Sequence, residues 1–561
     1  MDWDALRASF DWDRAREEEL HPLADGGINI FHEAVGHHAQ GVRASQEALR
    51  WIGKSGEVRS FTYSELDEGA GRFAGVLDAL GTARSDRVFT LLGRVPELYL
   101  TALGTLRAGR VFCPLFSAFG PEPVRSRVGP GGGKVLVTSA RLYKRKVAPI
   151  RDKLPDLEHV LLVDDEPVEG CRNLSGLLAA ADPMQTVSMD PEEMALLHFT
   201  SGTTGKPKGA VHVHAAVLAH KLTGRWVFDL HPGDIYWCTA DPGWVTGTSY
   251  GILAPLALGA TLIIDEAEFN GLRWYQLLQD HRVQVWYTAP TAIRMLMKLG
   301  LEAAGDFDLS TVRHALSVGE PLAPDGVEFG RQLLGTPFHD TWWQTETGAI
   351  MVANLPGQPV RPGSMGKPVP GIEAAVVGEV DGHLVVLGED EEGELALRPG
   401  WPSMFRTYLH NEERYLRSFR DGWYLSGDLA RRDADGYFWF VGRSNDVFKS
   451  AGHLIGPFEV EAALVEHPDI SEAAVIGKPD PVAGAIVKAF LVARPGVGVD
   501  SALERSVRGF ARKRLGPAVA PREVEFVDAL PHTRSGKVMR RLLKARELGL
   551  PEGDTSTLEN P

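Results

Sequence analysis

The sequence predicts an α/β fold, with a large N-terminal domain of layered, mostly parallel sheets, a small β-barrel-like element and a small α+β C-terminal domain. From about residue 57 to 270, apolar strand-like runs alternate with helical stretches, as in a parallel sheet covered by helices. After about residue 360, short apolar runs separated by Gly and Asp indicate the barrel-like element. A further unit begins near residue 445, where two short β segments precede a helix-strand-strand-helix-strand core and a last helix. We therefore place the domains at residues 1–444 and 445–561.

Length and composition restrict the possible functions. A chain of 561 residues is too long for one ordinary core, which agrees with two domains. The net charge of -15 argues against nonspecific binding to nucleic acid or to an anionic membrane. The three cysteines lack metal or redox spacing, and the sequence shows neither a signal peptide nor an apolar run that would span a bilayer. We expect a cytoplasmic location.

Loop residues, most of them polar or Gly and Pro, follow several predicted strands of the large domain. They occur at 201–205, at 289–290, at 319–321 and at 344–346. Ligands of open parallel sheets bind beyond the carboxyl ends of the strands. We therefore expect these four loops to converge on one edge of a sheet.

The densest of these loops lies within HFTSGTTGKPKGAVHVH, residues 198–214. Glycines let backbone N–H groups approach an anion, and hydroxyls and lysines add donors and positive charge, so the stretch predicts a polyphosphate site. It is not a Walker A loop, because Pro207 follows Lys206 where Ser or Thr is required. A plain polar surface loop is the alternative. The candidate residues are Thr200, Ser201, Gly202, Thr203, Thr204, Gly205, Lys206 and Lys208.

Three nearby histidines, His212, His214 and His220, fit no standard zinc spacing. We interpret them as part of a helix that follows the phosphate loop.

The phosphate loop and four later motifs occur in an order that resembles the adenylate-forming family, which includes acyl-coenzyme A synthetases. The later motifs are DTWWQTETG (340–348), YLSGD (424–428), GRSND (442–446) and TRSGK (533–537). The resemblance extends from about residue 25 to 555. It implies that a carboxylate attacks the α-phosphate of Mg²⁺-bound ATP, and that the thiol of coenzyme A then attacks the acyl-adenylate. It also implies a mobile C-terminal domain that rotates between the two half-reactions.

The resemblance assigns roles in the first half-reaction. Lys537 would contact the carboxylate and the α-phosphate, Thr345 would contact the α-phosphate, and Glu346 would bind Mg²⁺. A compact ammonium and a metal ion offset the repulsion between two anions, and one protein carboxylate is enough for a magnesium ion that also binds phosphate. Besides the phosphate loop, the implied nucleotide contacts are Gly319, Glu320, Pro321, Asp340, Thr341, Trp342, Asp428 and Arg443.

The resemblance also assigns residues of the second half-reaction. Gly452 would lie beside the pantetheine arm, Arg512 would contact the nucleotide phosphate of coenzyme A, and Asn445 would be the hinge. Leu454 departs from the family, which usually has arginine there, so contacts with the ATP phosphates are expected to differ. By the same resemblance, Lys537 is a candidate target of a regulatory lysine acetylase and deacetylase.

The acid is implied by two segments, ADPGWVTGTSYG (240–251) and WWQTETG (342–348), which resemble the acetate-activating members of the family. The implied acyl pocket is lined by Val245, Thr246, Val318 and Trp343. The Trp343 indole would close this pocket just beyond a methyl group. Since one methylene is worth only about 1–3 kcal/mol in binding, propionate would be a poorer substrate and not an excluded one.

Three alternatives stay open at this point. The chain could be a synthetase for propionate or another short acid, an adenylation enzyme that loads a carrier protein, or a non-catalytic nucleotide-binding relative. The presence of Lys537, Glu346 and Asp428 weighs against the last. The sequence makes no prediction of the oligomeric state.

Overall fold

The computed structural model of the chain describes residues 2–201, 207–443, 446, 448–450, 453–480, 484–516, 519–533, 537–552, 555 and 558. The chain forms two compact units. Unit 1 consists of Met1–Ile372 and Pro399–Arg417, and unit 2 consists of Glu373–Arg398 and Ser418–Pro561. The predicted α/β architecture is confirmed, whereas the domain boundary at residues 444 and 445 stays a prediction.

The first sheet of unit 1 is parallel in its centre and antiparallel at both ends. Its strands are, in spatial order, Ser364–Pro368, Val352–Ala353, Phe338–Trp342, His314–Val318, Val285–Thr288, Ile235–Cys238, Thr261–Asp265, Glu47–Ile52 and Val58–Thr62. The central strands are buried along their whole length, as expected where helices cover both faces of a parallel sheet.

The second sheet of unit 1 is also largely parallel, with an antiparallel end. Its strands are, in spatial order, Thr407–Tyr408, Pro207–Val213, Met194–Ser201, Val111–Phe116, Arg87–Leu92, Gly133–Thr138, His159–Leu162 and Arg172–Asn173. Its buried core is rich in Val, Leu and Phe side chains from both strands and helices.

The helices of unit 1 begin at residues that suit a helix N-terminus. Thr62 and Glu65 form a capping box before the helix Tyr63–Ala79, and five other α-helices in the described part of unit 1 have proline in their first turn, where a missing N–H costs nothing. The α-helices are Trp3–Ser9, Trp12–Glu19, His37–Ala39, Tyr63–Ala79, Pro96–Arg107, Pro121–Val128, Ala140–Leu142, Leu174–Ala180, Ala216–Val227, Val245–Thr248, Ala254–Ala257, Gly271–Asp280, Pro290–Leu299, Pro324–Leu334 and Glu412–Leu416. Shorter π and 3₁₀ segments are His32–Gly36, Tyr143–Val147, Ala148–Lys153, Ser249–Leu253 and Leu301–Ala304.

Unit 2 begins with an antiparallel sheet. Its strands are His383–Val386, Ala374–Val380, Glu392–Leu397, Trp423–Arg432 and Phe438–Arg443, and Phe419–Arg420 pairs at the side. Within the described residues these strands do not close on themselves, so the predicted barrel-like element is an open sheet.

The rest of unit 2 follows the predicted order of elements. Phe448–Ser450 pairs with His453–Ile455, and Ile470–Asp480 pairs with Gly484–Ala493, which in turn pairs in parallel with Glu523–Phe526. The helices are Pro457–Val465, Ser501–Leu515 and Arg540–Leu548. In the part of the chain described for both units, no helix combines the length and apolarity needed to cross a bilayer.

Candidate active site

The phosphate loop joins two antiparallel strands. Met194–Ser201 pairs with Pro207–Val213, and Thr200 lies opposite Lys208. Thr200 and Lys208 therefore flank the turn of a hairpin. The predicted loop residues Gly202, Thr203, Thr204, Gly205 and Lys206 lie outside the described residues, as does the side chain of Ser201.

Two expectations about this loop are wrong. First, a strand and not a helix follows the loop, because the run Ala210–Val213 is buried and pairs with the preceding strand. The next helix begins only at Ala216. Second, the four loops do not follow strands of one sheet, because the hairpin belongs to the second sheet. The three other polar loops follow adjacent parallel strands of the first sheet, as predicted. The first turn of the helix Pro290–Leu299, after one of these loops, contacts the next loop, because the Thr291 hydroxyl donates to the Glu320 carboxylate.

The three histidines after the loop bind backbone groups. His212 Nδ1 donates to the Ser403 carbonyl at 3.1 Å, and His220 Nε2 donates to the Gly348 carbonyl at 2.9 Å. The Ile30 N–H donates to His214 Nδ1 at 3.1 Å. Burial lowers the pKa of His212 and His220 to about 4 and that of His214 to about 3. All three rings are therefore neutral and have a structural role.

Glu346 follows the strand Phe338–Trp342 and contacts the second sheet. Its Oε1 accepts a hydrogen bond of 2.7 Å from the Tyr408 hydroxyl, and its carbonyl accepts from the Phe405 N–H at 2.9 Å. The Lys208 ammonium lies 4.7 Å from the centroid of the Tyr408 ring. Burial lowers the pKa of Lys208, and the Glu346 carboxylate acts in the opposite direction. Tyr408 thus brings a cation from the hairpin and a carboxylate from the first sheet together.

The environment of Glu346 suits a divalent cation. The residue is half-buried, and its Oε2 accepts no hydrogen bond from the described part of the chain. A magnesium ion that also binds phosphate and water needs one or two such carboxylate oxygens. Tyr408 orients the carboxylate, as outer-shell partners of metal ligands usually do. Sequence reasoning missed Tyr408, because it belongs to no recognised motif.

Asp340 and Thr341 bind the neighbouring strand. The Asp340 carboxyl group accepts from the Ser317 hydroxyl at 2.5 Å and from the Leu322 N–H at 3.2 Å, and the Thr341 hydroxyl donates to the Ser317 carbonyl at 2.7 Å. Burial raises the pKa of Asp340 to about 7. These bonds fix the start of the loop that carries Gly319, Glu320 and Pro321. Their predicted contacts with a nucleotide, and that of the buried Trp342, stay predictions.

Trp343 is supported by two buried tyrosines. Its Nε1 donates to the Tyr287 hydroxyl at 3.2 Å, and its ring meets the Tyr250 ring edge-to-face, with centroids 5.0 Å apart. Tyr250 belongs to the same segment as the half-buried Val245 and Thr246, and Val318 ends the buried strand beside Thr341. The assignment of these residues to an acyl pocket stays a prediction.

Within unit 2, Asp428 and Arg443 occupy opposite positions of two paired strands. Arg443 Nε lies 3.6 Å from Asp428 Oδ1, and the carboxylate is buried while the guanidinium is exposed. A buried carboxylate beside an exposed guanidinium suits the predicted contacts with ribose hydroxyls and phosphate.

Lys537 of unit 2 is bonded to Thr533 through its backbone. The Thr533 N–H donates to the Lys537 carbonyl at 2.7 Å, and the Lys537 N–H donates to the Thr533 hydroxyl at 3.0 Å. Beside Thr533, His532 Nε2 lies 2.7 Å from Glu472 Oε2. The side chain of Lys537 is exposed.

The predicted residues of the second half-reaction are less completely described. Arg512 is exposed on the helix Ser501–Leu515. Asn445 and Gly452 lie outside the described residues, and so does the side chain of Leu454.

A second group of possible metal ligands, His21, Glu33 and His37, is a charge-balanced network. His21 Nδ1 lies 3.2 Å and Lys221 Nζ 3.6 Å from the buried Glu33 carboxylate. The His21 and His37 rings are stacked, with an angle of 12° between their planes. Nearly parallel rings do not direct their lone pairs at one point, and the lysine already offsets the carboxylate charge. We assign no metal to this group.

Two family profiles match most of the chain. The profile of the AMP-binding enzyme family matches residues 37–409, and that of the AMP-binding enzyme C-terminal domain matches residues 459–537. The chain is 46% identical to acetyl-coenzyme A synthetase of Bacillus subtilis (strain 168), over 98% of this chain and 96% of that protein. It is 39% identical to acetyl-coenzyme A synthetase of Methanothrix thermoacetophila, over 100% of this chain and 90% of that protein.

Solved structures agree with these sequence matches. An anthranilate CoA ligase in complex with anthranoyl-AMP aligns with a TM-score of 0.85 and 28% identity, and covers 93% of this chain and 98% of its own. An acyl-CoA synthetase of Brucella canis aligns with a TM-score of 0.75 and 34% identity, and covers 98% of this chain and 99% of its own.

Proposed function

The chain belongs to the AMP-binding enzyme family, and we propose that it is an AMP-forming acetate–CoA ligase. In the first half-reaction, an acetate oxygen attacks the α-phosphorus of ATP, and the bond to the β-phosphate breaks to give acetyl-AMP and diphosphate. In the second, the thiol sulfur of coenzyme A attacks the acetyl carbon, AMP leaves, and acetyl-CoA forms. The observation that carries this proposal is the 46% identity, over nearly the whole chain, to a protein named acetyl-coenzyme A synthetase.

The contacts around Glu346 support the adenylation step. The Tyr408 hydroxyl holds this carboxylate in one orientation, and Lys208 adds positive charge beside the hairpin turn. Magnesium, when bound, would supply a charge that polarises the phosphate oxygens. Glu346 would hold that ion, while Thr200, Lys208 and Thr345 would orient the phosphates around it.

Unit 2 would supply the remaining contacts of the nucleotide and of the reacting groups. Asp428 suits the ribose hydroxyls, because a buried carboxylate provides a bidentate acceptor, and Arg443 suits the phosphates. Lys537 is exposed, so its ammonium can approach two anions that would otherwise repel each other. Asn445 as hinge and Gly452 and Arg512 as coenzyme A contacts complete the proposal.

Trp343 supports acetate as the acid. Two tyrosines contact its indole, and a rigid wall discriminates by length better than one that can rotate away. The exposure of Lys537 also makes it accessible to a lysine acetylase, which would remove the charge that adenylation needs.

Release of diphosphate tests the proposed function. The purified chain is given Mg·ATP with acetate, propionate or butyrate, with and without free coenzyme A, and the products are identified by mass spectrometry. We expect the highest rate with acetate and acetyl-CoA as a product only when coenzyme A is present. Equal or greater efficiency with propionate would favour another short acid. Acetyl-AMP that is never transferred to free coenzyme A would favour loading of a carrier protein.

A further inference from the structure

The hydrogen bonds around Tyr287 have only one possible direction. The Thr341 hydroxyl has a single hydrogen, which it donates to the Ser317 carbonyl at 2.7 Å. The Tyr287 and Thr341 oxygens are 2.9 Å apart, so the hydrogen between them must come from the tyrosine. The lone pair of the Tyr287 oxygen then accepts the indole N–H of Trp343 at 3.2 Å. The chain of donors runs from Trp343 through Tyr287 and Thr341 to a strand carbonyl.

Tyr287 is itself held in place by burial and packing. It lies on the buried strand Val285–Thr288 and is 0% exposed, and the Phe228 ring meets it edge-to-face with centroids 4.6 Å apart. Burial raises the pKa of Tyr287 well above its usual range, so the hydroxyl stays neutral at any pH of interest. The indole therefore binds to an oxygen whose position is fixed by the centre of the first sheet.

Tyr250 packs against the indole without a hydrogen bond to it. The Thr223 hydroxyl donates to the Ala219 carbonyl, so the Tyr250 hydroxyl donates to Thr223 at 2.7 Å. The Tyr250 oxygen also accepts from the Ile350 N–H at 2.8 Å. These bonds fix the Tyr250 ring, which packs edge-to-face on Trp343. Of these two tyrosines, only Tyr287 restrains the rotation of the indole through its N–H group.

We infer that Tyr287 is a positioning residue, which holds the Trp343 indole across the acyl pocket and thereby limits the length of the carboxylic acid that the enzyme accepts. This inference rests on the proposed function, because it takes Trp343 as the end wall of that pocket. Tyr287 would act on selectivity through Trp343, without contacting the acid.

The substitution Tyr287→Phe tests the inference, because it removes one oxygen and keeps the packing ring. One hydrogen bond changes an equilibrium by about two- to tenfold, so we expect the ratio of kcat/KM for acetate to that for propionate to fall by about that factor. Tyr275→Phe is the matched control, since the Tyr275 hydroxyl has no partner in the described part of the chain, and its ratio should not change. Equal losses with both acids in Tyr287→Phe would overturn the inference.

A double-mutant cycle separates positioning from general packing. Trp343→Phe lacks the indole N–H, so adding Tyr287→Phe to it should leave the acid ratio of that variant unchanged. A tyrosine with a merely structural role would change the ratio equally in both backgrounds, and that result would refute the inference.

A measurement on the wild-type protein does not depend on activity. The indole N–H signal of Trp343 in ¹⁵N-tryptophan-labelled protein, assigned through Trp343→Phe, should exchange with deuterium more slowly than that of Trp244, another half-buried indole, which has no hydrogen-bond partner among the described residues. Rapid exchange would contradict the hydrogen bond even if Tyr287→Phe did not fold. If the wild type released no diphosphate with any acid, the proposed function would fail. If it preferred acetate but Tyr287→Phe left the acid ratio unchanged, only the inference about Tyr287 would fail.

Discussion

The surroundings of Trp343 in unit 1 and those of Lys537 in unit 2 differ in how far they bury the side chain. The half-buried indole donates a hydrogen bond to Tyr287 and packs against the ring of Tyr250. The side chain of Lys537 is exposed. A wall that selects substrates by size must be rigid, whereas a charge that meets two anions must be accessible. We expect substitutions at the first site to change selectivity and substitutions at the second to change rate.

Lys537→Ala should have the largest effect. Removing one preorganised charge at a centre that gathers negative charge typically lowers the rate by about 10²–10³-fold. We expect this loss in acetate-dependent diphosphate release, with little change in thioester formation from supplied acetyl-AMP. Lys544→Ala, an exposed lysine on the last helix, is the control and should keep both rates. Equal losses in the two half-reactions would show that Lys537 does not serve adenylation alone.

Trp343→Gly should reverse the selectivity at a smaller cost in rate. Removal of the indole opens space for several methylenes, each worth about 1–3 kcal/mol in a fitted apolar pocket. We expect kcat/KM to become higher for butyrate than for acetate, as measured in competition between the two acids. A variant that still preferred acetate would disprove the pocket assignment.

Tyr408→Phe should alter the response to magnesium. The hydroxyl orients the Glu346 carboxylate, and loss of such a partner costs about tenfold or more in metal affinity. The Mg²⁺ concentration for half-maximal diphosphate release should rise by about tenfold, and Mg²⁺ should protect the variant less against thermal unfolding than it protects the wild type. Tyr275→Phe again serves as the control. An unchanged Mg²⁺ response would separate Tyr408 from the metal site.

Asp340→Asn should have the smallest effect, on the pH dependence of stability. Burial raises the pKa of Asp340 to about 7 in the folded state, above its usual 3.8. A raised pKa contributes stability that is fully present below about pH 4 and is lost as the pH rises through about 7. Between pH 4 and pH 8, the Tm of the wild type should therefore fall by about 3 °C more than the Tm of Asp340→Asn. Parallel Tm profiles of the two proteins would contradict a raised pKa of the buried Asp340 carboxyl group.

The sequence predicted much of the fold, because most of its signals are local. The alternation of strands and helices indicated parallel sheets, and the order of elements after residue 445 was confirmed one by one. The helix expected after the phosphate loop was wrong, since a short apolar run such as Ala210–Val213 suits either element and only its pairing with Met194–Ser201 decides. The open antiparallel sheet of unit 2 could not be distinguished from a barrel for the same reason: closure depends on pairing between distant strands.

The residues that support the candidate site were hidden from sequence reasoning. Tyr408 is 62 positions from Glu346 and Tyr287 is 56 from Trp343, so no motif or spacing links them. Both are buried aromatic residues on strands, and such residues are typical of any core. Their hydroxyl partners become evident only when two sheets, or two strands on either side of a third, bring them together.

The exchange of labelled diphosphate into ATP, without coenzyme A, is the sharpest test of acetate adenylation by this chain. It reports reversible formation of the acyl-adenylate and nothing later. We expect exchange that depends on acetate, is weaker with propionate and weaker still with butyrate, and falls by about 10²-fold or more in Lys537→Ala. A pure and folded chain that shows no exchange with any of these acids would contradict the proposed adenylation.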